Sequence, residues 1–172
     1  GLCAALLETS RSGQGQVIDA SMVDGSALLT TMFHSFIARG IWENARGSNM
    51  LDSGAHFYDA YETADGKYIS IGSIEPQFYA ELLKHTGLEG EELPWQHDRA
   101  QWPALKERFA ATFRTKARDE WLAVFAGDDN CVTPVLRFAD VIHGEHLRAR
   151  GTYVEVDGVL QPTPQPRFDR TP

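Results

Sequence analysis

Residues 56–81 read HFYDAYETADGKYISIGSIEPQFYAE and contain the signals of two strands, a tight turn and the start of a helix. The first part of the stretch contains Phe57, Tyr58 and Tyr61, aromatic residues that favour strands. The sequence TADG at 63–66 then places Gly66 where a turn commonly needs a positive φ. Residues 67–74 alternate with the period of a half-buried strand, and Ile69, Ile71 and Ser73 share one face. The stretch therefore predicts a β-hairpin that leads directly into a helix.

Glu75 stands where the second strand is expected to end and the helix to begin. Pro76 follows it, and proline suits the first helical turn because its missing N–H has no partner inside the helix there. A carboxylate at such a junction has two interpretations. Acidic residues often complement the dipole at a helix start, and exposed groups on rigid junctions often form functional sites. The pattern alone leaves both open.

The composition is that of an acidic, folded protein. The chain has 172 residues, of which 42% are hydrophobic, enough for one ordinary domain. A formal net charge of −8 disfavours nucleic acid or an anionic membrane as the main partner. No apolar run approaches the ~18 residues of a membrane span. Cys3 and Cys131 lie far apart and form no CxxC motif, so we expect a reducing, cytoplasmic setting without disulfides.

Further elements are predicted on both sides of the hairpin. Helical periodicity is found at residues 1–11, 22–41, 76–85, 102–115 and 117–126, with one or two short helices within 138–150. Short strands are expected at 16–20, 131–136 and 152–156, the last pairing back through a turn at Asp157 and Gly158. Pro134 places the second of these strands at a sheet edge. The broad apolar surface of the 22–41 helix predicts packing against another element or subunit.

Simple chemical motifs give little indication of catalysis. His143 and His146 have a spacing that can share a helix face, but a third ligand is missing, so no metal site is predicted. No G-x-S-x-G motif occurs, and Cys131 is expected to be a small core residue at the start of a strand. Loop aspartates are usually turn formers. Three of them surround the hairpin: Asp52, Asp59 and Asp65.

Longer segments carry a resemblance to a known family. They are GQGQVIDASMVDGSALL at 13–29, NMLDSGAHFYDAYETADGKYISIGSIEPQFYAELL at 49–83, ELPWQHDRAQWPALKERF at 92–109, FAGDDNCVTPVLRFADVIHGEH at 125–146 and PQPRFDRTP at 164–172. Together they span nearly the whole chain, and IEPQFY and CVTPVL are the most specific motifs. The chain resembles the family III CoA-transferases (CaiB/BaiF), most closely their α-methylacyl-CoA racemase branch.

The resemblance implies the fold and its organisation. Members have a large Rossmann-like domain and a small α+β domain joined by long linkers, and two subunits interlock. The resemblance assigns residues 1–23 to the end of the large α/β domain, 24–58 to a helical linker, 59–141 to the small α+β domain and 142–172 to the returning linker. We expect a partial chain without the Rossmann-like half. We also expect a homodimer in which the second subunit covers the first helices. An intertwined dimer is one arrangement that would do this.

The resemblance also implies an activity and its residues. Racemases of this branch exchange the α-proton of a 2-methylacyl-CoA through an enolate, using a His, an Asp and an assisting Glu of the IEPQF motif. The glutamate carries over to Glu75, whereas the His and Asp motifs have no counterpart here. His56 replaces a proline of the family's GGAPFY motif, either as a surface substitution or as a new acid–base group. No cofactor is implied, and acyl-CoA is the substrate if the missing half is supplied.

The chemistry of proton exchange leaves two hypotheses. A thioester α-proton is weakly acidic, so its exchange needs a base on one face, an acid on the other and donors for the enolate oxygen. One carboxylate cannot serve both faces. The chain is therefore either a racemase-like enzyme of acyl-CoA metabolism completed by groups from elsewhere, or a non-catalytic module. Such a module would self-associate or dock onto a full-length relative.

Overall fold

The computed structural model describes residues 1–170 and divides into two units, one of residues 1–49 and one from Met50 onward. Residues 171 and 172, which end the predicted returning linker, lie outside the described residues. The division into four segments at residues 23, 58 and 141 stays a prediction. None of the described helices is long and apolar enough to span a membrane.

The first unit contains three helices and little buried apolar surface. They are α1 (Leu2–Ser12), α2 (Met22–Leu29) and α3 (Thr31–Ala38). Helix α1 ends as predicted at Gly13, whose φ of 74° is easily adopted only by glycine. Ser21 caps α2, because its side chain accepts a hydrogen bond from the Asp24 N–H at 3.4 Å.

The predicted strand at residues 16–20 is absent. This segment has no regular secondary structure, and 94% of Val17 is exposed. A strand is stabilised by pairing with a neighbour, and no described strand pairs with this segment. Its β-favouring residues alone are therefore not enough to form a strand.

The predicted 22–41 helix is interrupted at Thr30, where φ and ψ are −87° and 3°. The hydroxyl of Thr30 donates to the Ala27 carbonyl at 2.8 Å, and that of Thr31 donates to the Leu28 carbonyl at 2.6 Å. Such side-chain bonds compete with the backbone ladder of a helix. Two adjacent threonines therefore separate α2 from α3.

The predicted hairpin is confirmed and forms part of a three-stranded antiparallel sheet in the second unit. Strands β1 (Tyr58–Glu62), β2 (Tyr68–Gly72) and β3 (Val132–Val135) lie in that order, so β3 is the edge strand that Pro134 predicted. The turn between β1 and β2 places Gly66 at a φ of 69°. The sheet therefore places β2, and the chain that leaves it, at the centre of this unit.

Three amphipathic helices supply the other half of the core. They are α4 (Pro76–Thr86), α5 (Trp102–Phe113) and α6 (Arg118–Val124), and a single 3-10 turn at Arg99–Gln101 precedes α5. Their buried side chains form one cluster with the inner face of the hairpin. Its large members are Phe57, Tyr61, Ile69, Ile71, Tyr79, Leu82, Trp102, Phe109, Phe113, Trp121 and Phe125.

The end of the described chain forms a smaller substructure. Two short helices, α7 (Phe138–Val141) and α8 (Glu145–Ala149), are followed by the paired strands β4 (Tyr153–Val156) and β5 (Val159–Pro162). The predicted turn at Asp157 and Gly158 is present, with positive φ at both residues.

Candidate active site

Glu75 lies at the junction that the sequence predicts, between β2 and α4. Its backbone is extended, with φ −73° and ψ 146°, and its carbonyl accepts the first helical hydrogen bond from the Tyr79 N–H at 3.0 Å. Its side chain is exposed and makes no capping hydrogen bond. The carboxylate is therefore not used to close the helix and is accessible to a ligand.

The junction is held by Gln96, a residue that sequence reasoning missed. Its side-chain amide donates to the Ser73 carbonyl at 3.1 Å and to the Ile74 carbonyl at 3.0 Å. The backbone carbonyl of Gln96 accepts a hydrogen bond from Trp102 Nε1 at 2.9 Å. Gln96 is buried, so it anchors the two residues before Glu75 to the core.

A second anchor reaches the junction from the loop before β3. The Ser73 hydroxyl donates to the Asn130 carbonyl at 2.8 Å. The Asn130 side chain in turn donates to the Phe125 carbonyl at 2.8 Å and accepts from the Val132 N–H at 3.1 Å. Asn130 is buried. Gln96 and Asn130 thus fix the backbone before Glu75 from two sides.

Gln96 offers a direct test of this support. Replacement by leucine would leave the Ser73 and Ile74 carbonyls buried without their donor, so we expect the free energy of unfolding to fall by about 2 kcal/mol. Urea unfolding followed by circular dichroism measures the change. Gln101→Leu is the matched control, because Gln101 is exposed. Equal stability of the two variants would show that Gln96 does not support the junction.

A shallow groove lies on the outer face of the sheet. It encloses about 330 Å³ and is lined by Tyr58, Ser70, Gly72 and Cys131, among others. Cys131 is exposed, so the prediction of a small core residue is wrong. Partial desolvation and the negative charges of Asp129 and Glu75 raise the pKa of its thiol. Glu75 does not line the groove, and its charge reaches the groove only through this effect on Cys131. The protonated thiol of Cys131 is a poor nucleophile.

His56 lies in the core, and the interpretation as a surface substitution is wrong. No part of it is exposed, and its ring packs against Phe57, Tyr79 and Phe109 with centroids 5.1, 5.5 and 5.4 Å away. Its Nε2 shares a hydrogen bond with the Tyr79 hydroxyl at 2.9 Å, while Nδ1 has no partner among the described residues. Burial, together with the charge of His97, lowers the pKa of His56 to about 4. The ring is therefore neutral at pH 7.

The other polar residues considered for chemistry are not brought together. Asp59 pairs with Lys106 at 2.6 Å, and Asp65 pairs with Lys67 at 3.1 Å. His143 follows α7, whereas His146 lies in α8, so the two histidines do not share a helix. Among these candidates only Glu75 is exposed on a junction held by buried side chains.

Comparison with known proteins shows the class to which this fold belongs. The family model for CoA-transferase family III matches residues 1–172. The chain belongs to CoA-transferase family III, as its motifs predict.

Curated relatives point to one branch of the family. The chain is 49% identical over 174 residues to an α-methylacyl-CoA racemase of Mus musculus, and 44% identical over 173 residues to one of Homo sapiens. Each alignment covers 100% of this chain and 45% of the relative. The chain thus spans about half the length of the curated relatives it matches.

Solved structures support the predicted fold class. Rv3272 of Mycobacterium tuberculosis aligns with a TM-score of 0.74 at 19% identity, covering 97% of this chain and 44% of that one. A CaiB/BaiF family protein of Brucella suis aligns with a TM-score of 0.73 at 21% identity, covering 98% and 45%. The mixed helix-and-sheet fold of the family III CoA-transferases is therefore confirmed.

Proposed function

We propose that this chain supplies the small-domain side of a racemase-like active site. The reaction is exchange of the α-proton of a 2-methylacyl-CoA through an enolate, with Glu75 as the carboxylate that faces the substrate. The placement of Glu75 carries the proposal, because it stands exposed on a rigid junction without a capping bond. The identity of 49% and 44% to two α-methylacyl-CoA racemases supports this choice of reaction.

The proposed reaction needs groups beyond Glu75. One carboxylate cannot both remove the α-proton from one face of the thioester and return a proton to the opposite face of the enolate, so a further acid–base group must face the substrate. The burial of His56 and its lowered pKa argue against a direct part for this side chain. We assign the second face to a His and Asp pair from outside these 172 residues, on the same or another polypeptide.

The groove on the outer face of the sheet suggests how much of the substrate this unit contacts. Pockets that enclose most of a drug-sized ligand have volumes of roughly 300–1,000 Å³. The groove, at about 330 Å³, lies at the low end of that range. It suits a branched acyl group but is too small for a whole acyl-CoA. The nucleotide end of CoA would then be bound by other parts of the enzyme, and no resident cofactor is required.

Proton exchange tests this proposal. This chain is incubated with a 2-methylacyl-CoA in D2O, joined to or mixed with the polypeptide that supplies the His and Asp pair, and deuterium at C2 is followed by mass spectrometry. General acid–base groups contribute about 10²–10⁴-fold in rate, and we expect Glu75→Gln to slow exchange at least about tenfold. Glu145→Gln is the matched control, since Glu145 is an exposed acid in the first turn of another helix, α8. Exchange by Glu75→Gln at the control's rate would contradict the assigned role.

The alternative function is a non-catalytic module that self-associates or docks onto a relative. Exposed apolar side chains in the first unit favour it: Met22 is 87% exposed, Val23 77% and Leu29 83%. Side chains of this kind are expected to be covered by a partner. We propose that the partner is a second copy of the chain, and an intertwined homodimer is one arrangement of the two copies. Sedimentation with and without CoA separates the hypotheses, because a dimer that ignores CoA supports the module. A cytoplasmic setting without nucleic-acid or membrane partners stays a prediction.

A further inference from the structure

A histidine and two carboxylates converge near the end of α4, on a surface that the proposed reaction does not use. Glu81 and His85 lie four residues apart on the helix, and Asp128 comes from the loop after α6. His85 is about 15 Å along the helix from Glu75, at 1.5 Å per residue. We propose that Glu81, His85 and Asp128 bind a divalent transition-metal ion of the Zn²⁺ type.

The ligand atoms already have spacings close to those around such an ion. His85 Nε2 lies 2.7 Å from Asp128 Oδ2 and 3.4 Å from Glu81 Oε2. Each of the three residues offers one ligand atom within 4.8 Å of those of the other two. Zn²⁺ binds His nitrogen and carboxylate oxygen at about 2.0–2.2 Å, which puts tetrahedral ligands roughly 3.3 Å apart. The His85–Asp128 contact needs to open by only about half an ångström. Three protein ligands leave a fourth position for water.

The protein holds these ligands in place before a metal arrives. Residues four apart on a helix are neighbours on its surface, so α4 fixes Glu81 and His85 relative to each other. The His85 ring packs against Phe125 with the centroids 5.2 Å apart. Buried Asn130 donates hydrogen bonds to the carbonyls of Phe125 and Asp128 at 2.8 and 3.0 Å, which fixes the loop that carries Asp128.

The charges around the site also favour a cation. The two carboxylates contribute a charge of −2, and Lys84 offsets part of it by donating to Glu81 Oε2 at 2.8 Å. The mixed nitrogen and oxygen donors suit Zn²⁺ better than Mg²⁺ or Ca²⁺, which prefer oxygen alone. Bound metal would link the end of α4 to the loop between α6 and β3. Lys84 competes with it for one ligand atom.

Zn²⁺ titration by calorimetry tests the site on the protein freed of metal and of any affinity tag. We expect one ion per chain, with affinity weakened at least tenfold by His85→Ala and by Asp128→Asn. His146→Ala is the matched control, because His146 is exposed in α8 and belongs to no such cluster within residues 1–170. This variant should bind Zn²⁺ as tightly as the wild type. Lys84→Gln should bind Zn²⁺ several-fold more tightly, because it releases Glu81.

Two outcomes of the Zn²⁺ titration would contradict the proposed site. A wild-type protein that shows no saturable Zn²⁺ binding would leave Glu81, His85 and Asp128 as an ion-pair cluster only. Binding that survives unchanged in His85→Ala and Asp128→Asn would place the ion elsewhere and contradict the assignment. Circular dichroism checks that each variant is folded. Lys84→Gln tests Glu81 without a risk to folding, since the half-exposed Lys84 side chain contributes little to the core. Unchanged Zn²⁺ affinity in this variant would contradict the assignment of Glu81 as a ligand.

Discussion

Replacement of Trp121 by alanine is expected to lower the free energy of unfolding by about 4 kcal/mol. Trp121 is 1% exposed, and its ring lies between those of Phe113 and Phe125, with centroids 5.2 and 6.0 Å away. Its Nε1 donates to the Phe113 carbonyl at 2.8 Å. Alanine would leave a large cavity and remove that hydrogen bond. The loss should be among the largest of any single substitution in this unit.

Trp95 provides the matched control for Trp121. It is also a tryptophan, but 71% of it is exposed, so Trp95→Ala should change the free energy of unfolding by less than about 0.5 kcal/mol. Chemical denaturation monitored by far-ultraviolet circular dichroism measures both variants. Similar losses in the two variants would show that the core is not centred where α5 and α6 meet the sheet.

The second large effect is a loss of stability in acid caused by His56. Its pKa is about 4 in the folded protein, below the ordinary value of 6.5, because burial disfavours the charged ring. Between these two values the unfolded chain binds more protons than the folded one, so the free energy of unfolding rises with pH. The contribution is complete above pH 6.5 and is lost progressively as the pH falls towards 4. Its total is about 3 kcal/mol, of which about 2 is lost by pH 5.

Urea unfolding at several pH values between 8 and 5 measures this dependence. His56→Gln removes the titrating ring and keeps a group able to bond Tyr79, so its stability should depend less on pH over this range. His146→Gln is the control, because it removes an exposed histidine and should leave the slope unchanged. Parallel pH profiles for His56→Gln and the wild type would contradict the assignment of acid sensitivity to His56.

The hairpin and the helices that follow it are predictable from local sequence because each signal agrees with its neighbours. The alternation at residues 67–74, the positive φ at Gly66 and the proline after Glu75 all indicate the same strand–turn–strand–helix path. The apolar faces of α4, α5 and α6 also correspond to what the structure buries. Such elements can be predicted from sequence because their local secondary-structure propensity agrees with the pattern of burial.

The failures occur where local preference lacks tertiary support. Residues 16–20 have strand-forming side chains but no partner strand among the described elements, and they remain irregular. The helix after Met22 has continuous apolar periodicity, yet the hydroxyls of Thr30 and Thr31 bond to backbone carbonyls and divide it. The hydrophobic periodicity of a sequence contains no information on either the missing partner strand or the side-chain bonds of the two threonines.

The candidate site was predictable only in part. The junction and the motif resemblance both indicate Glu75, whereas its supports, Gln96 and Asn130, lie in irregular loops without a periodic signal. The burial of His56 was missed because histidine is intermediate in its preference for burial, and the segment before it, at 42–55, reads as an irregular loop. Contacts between residues distant in sequence decide these cases, and one sequence does not reveal them.

Deuterium uptake at C2 of a 2-methylacyl-CoA, started separately from each enantiomer in D2O with the His and Asp pair supplied, distinguishes the proposed reaction from the association module. We expect both enantiomers to exchange, Glu75→Gln to slow both at least about tenfold, and Glu145→Gln to match the wild type. Exchange from both enantiomers at the wild-type rate in Glu75→Gln would contradict the role of Glu75. Absence of exchange in the folded wild-type protein with the His and Asp pair supplied would contradict the enzymatic function and favour the association module.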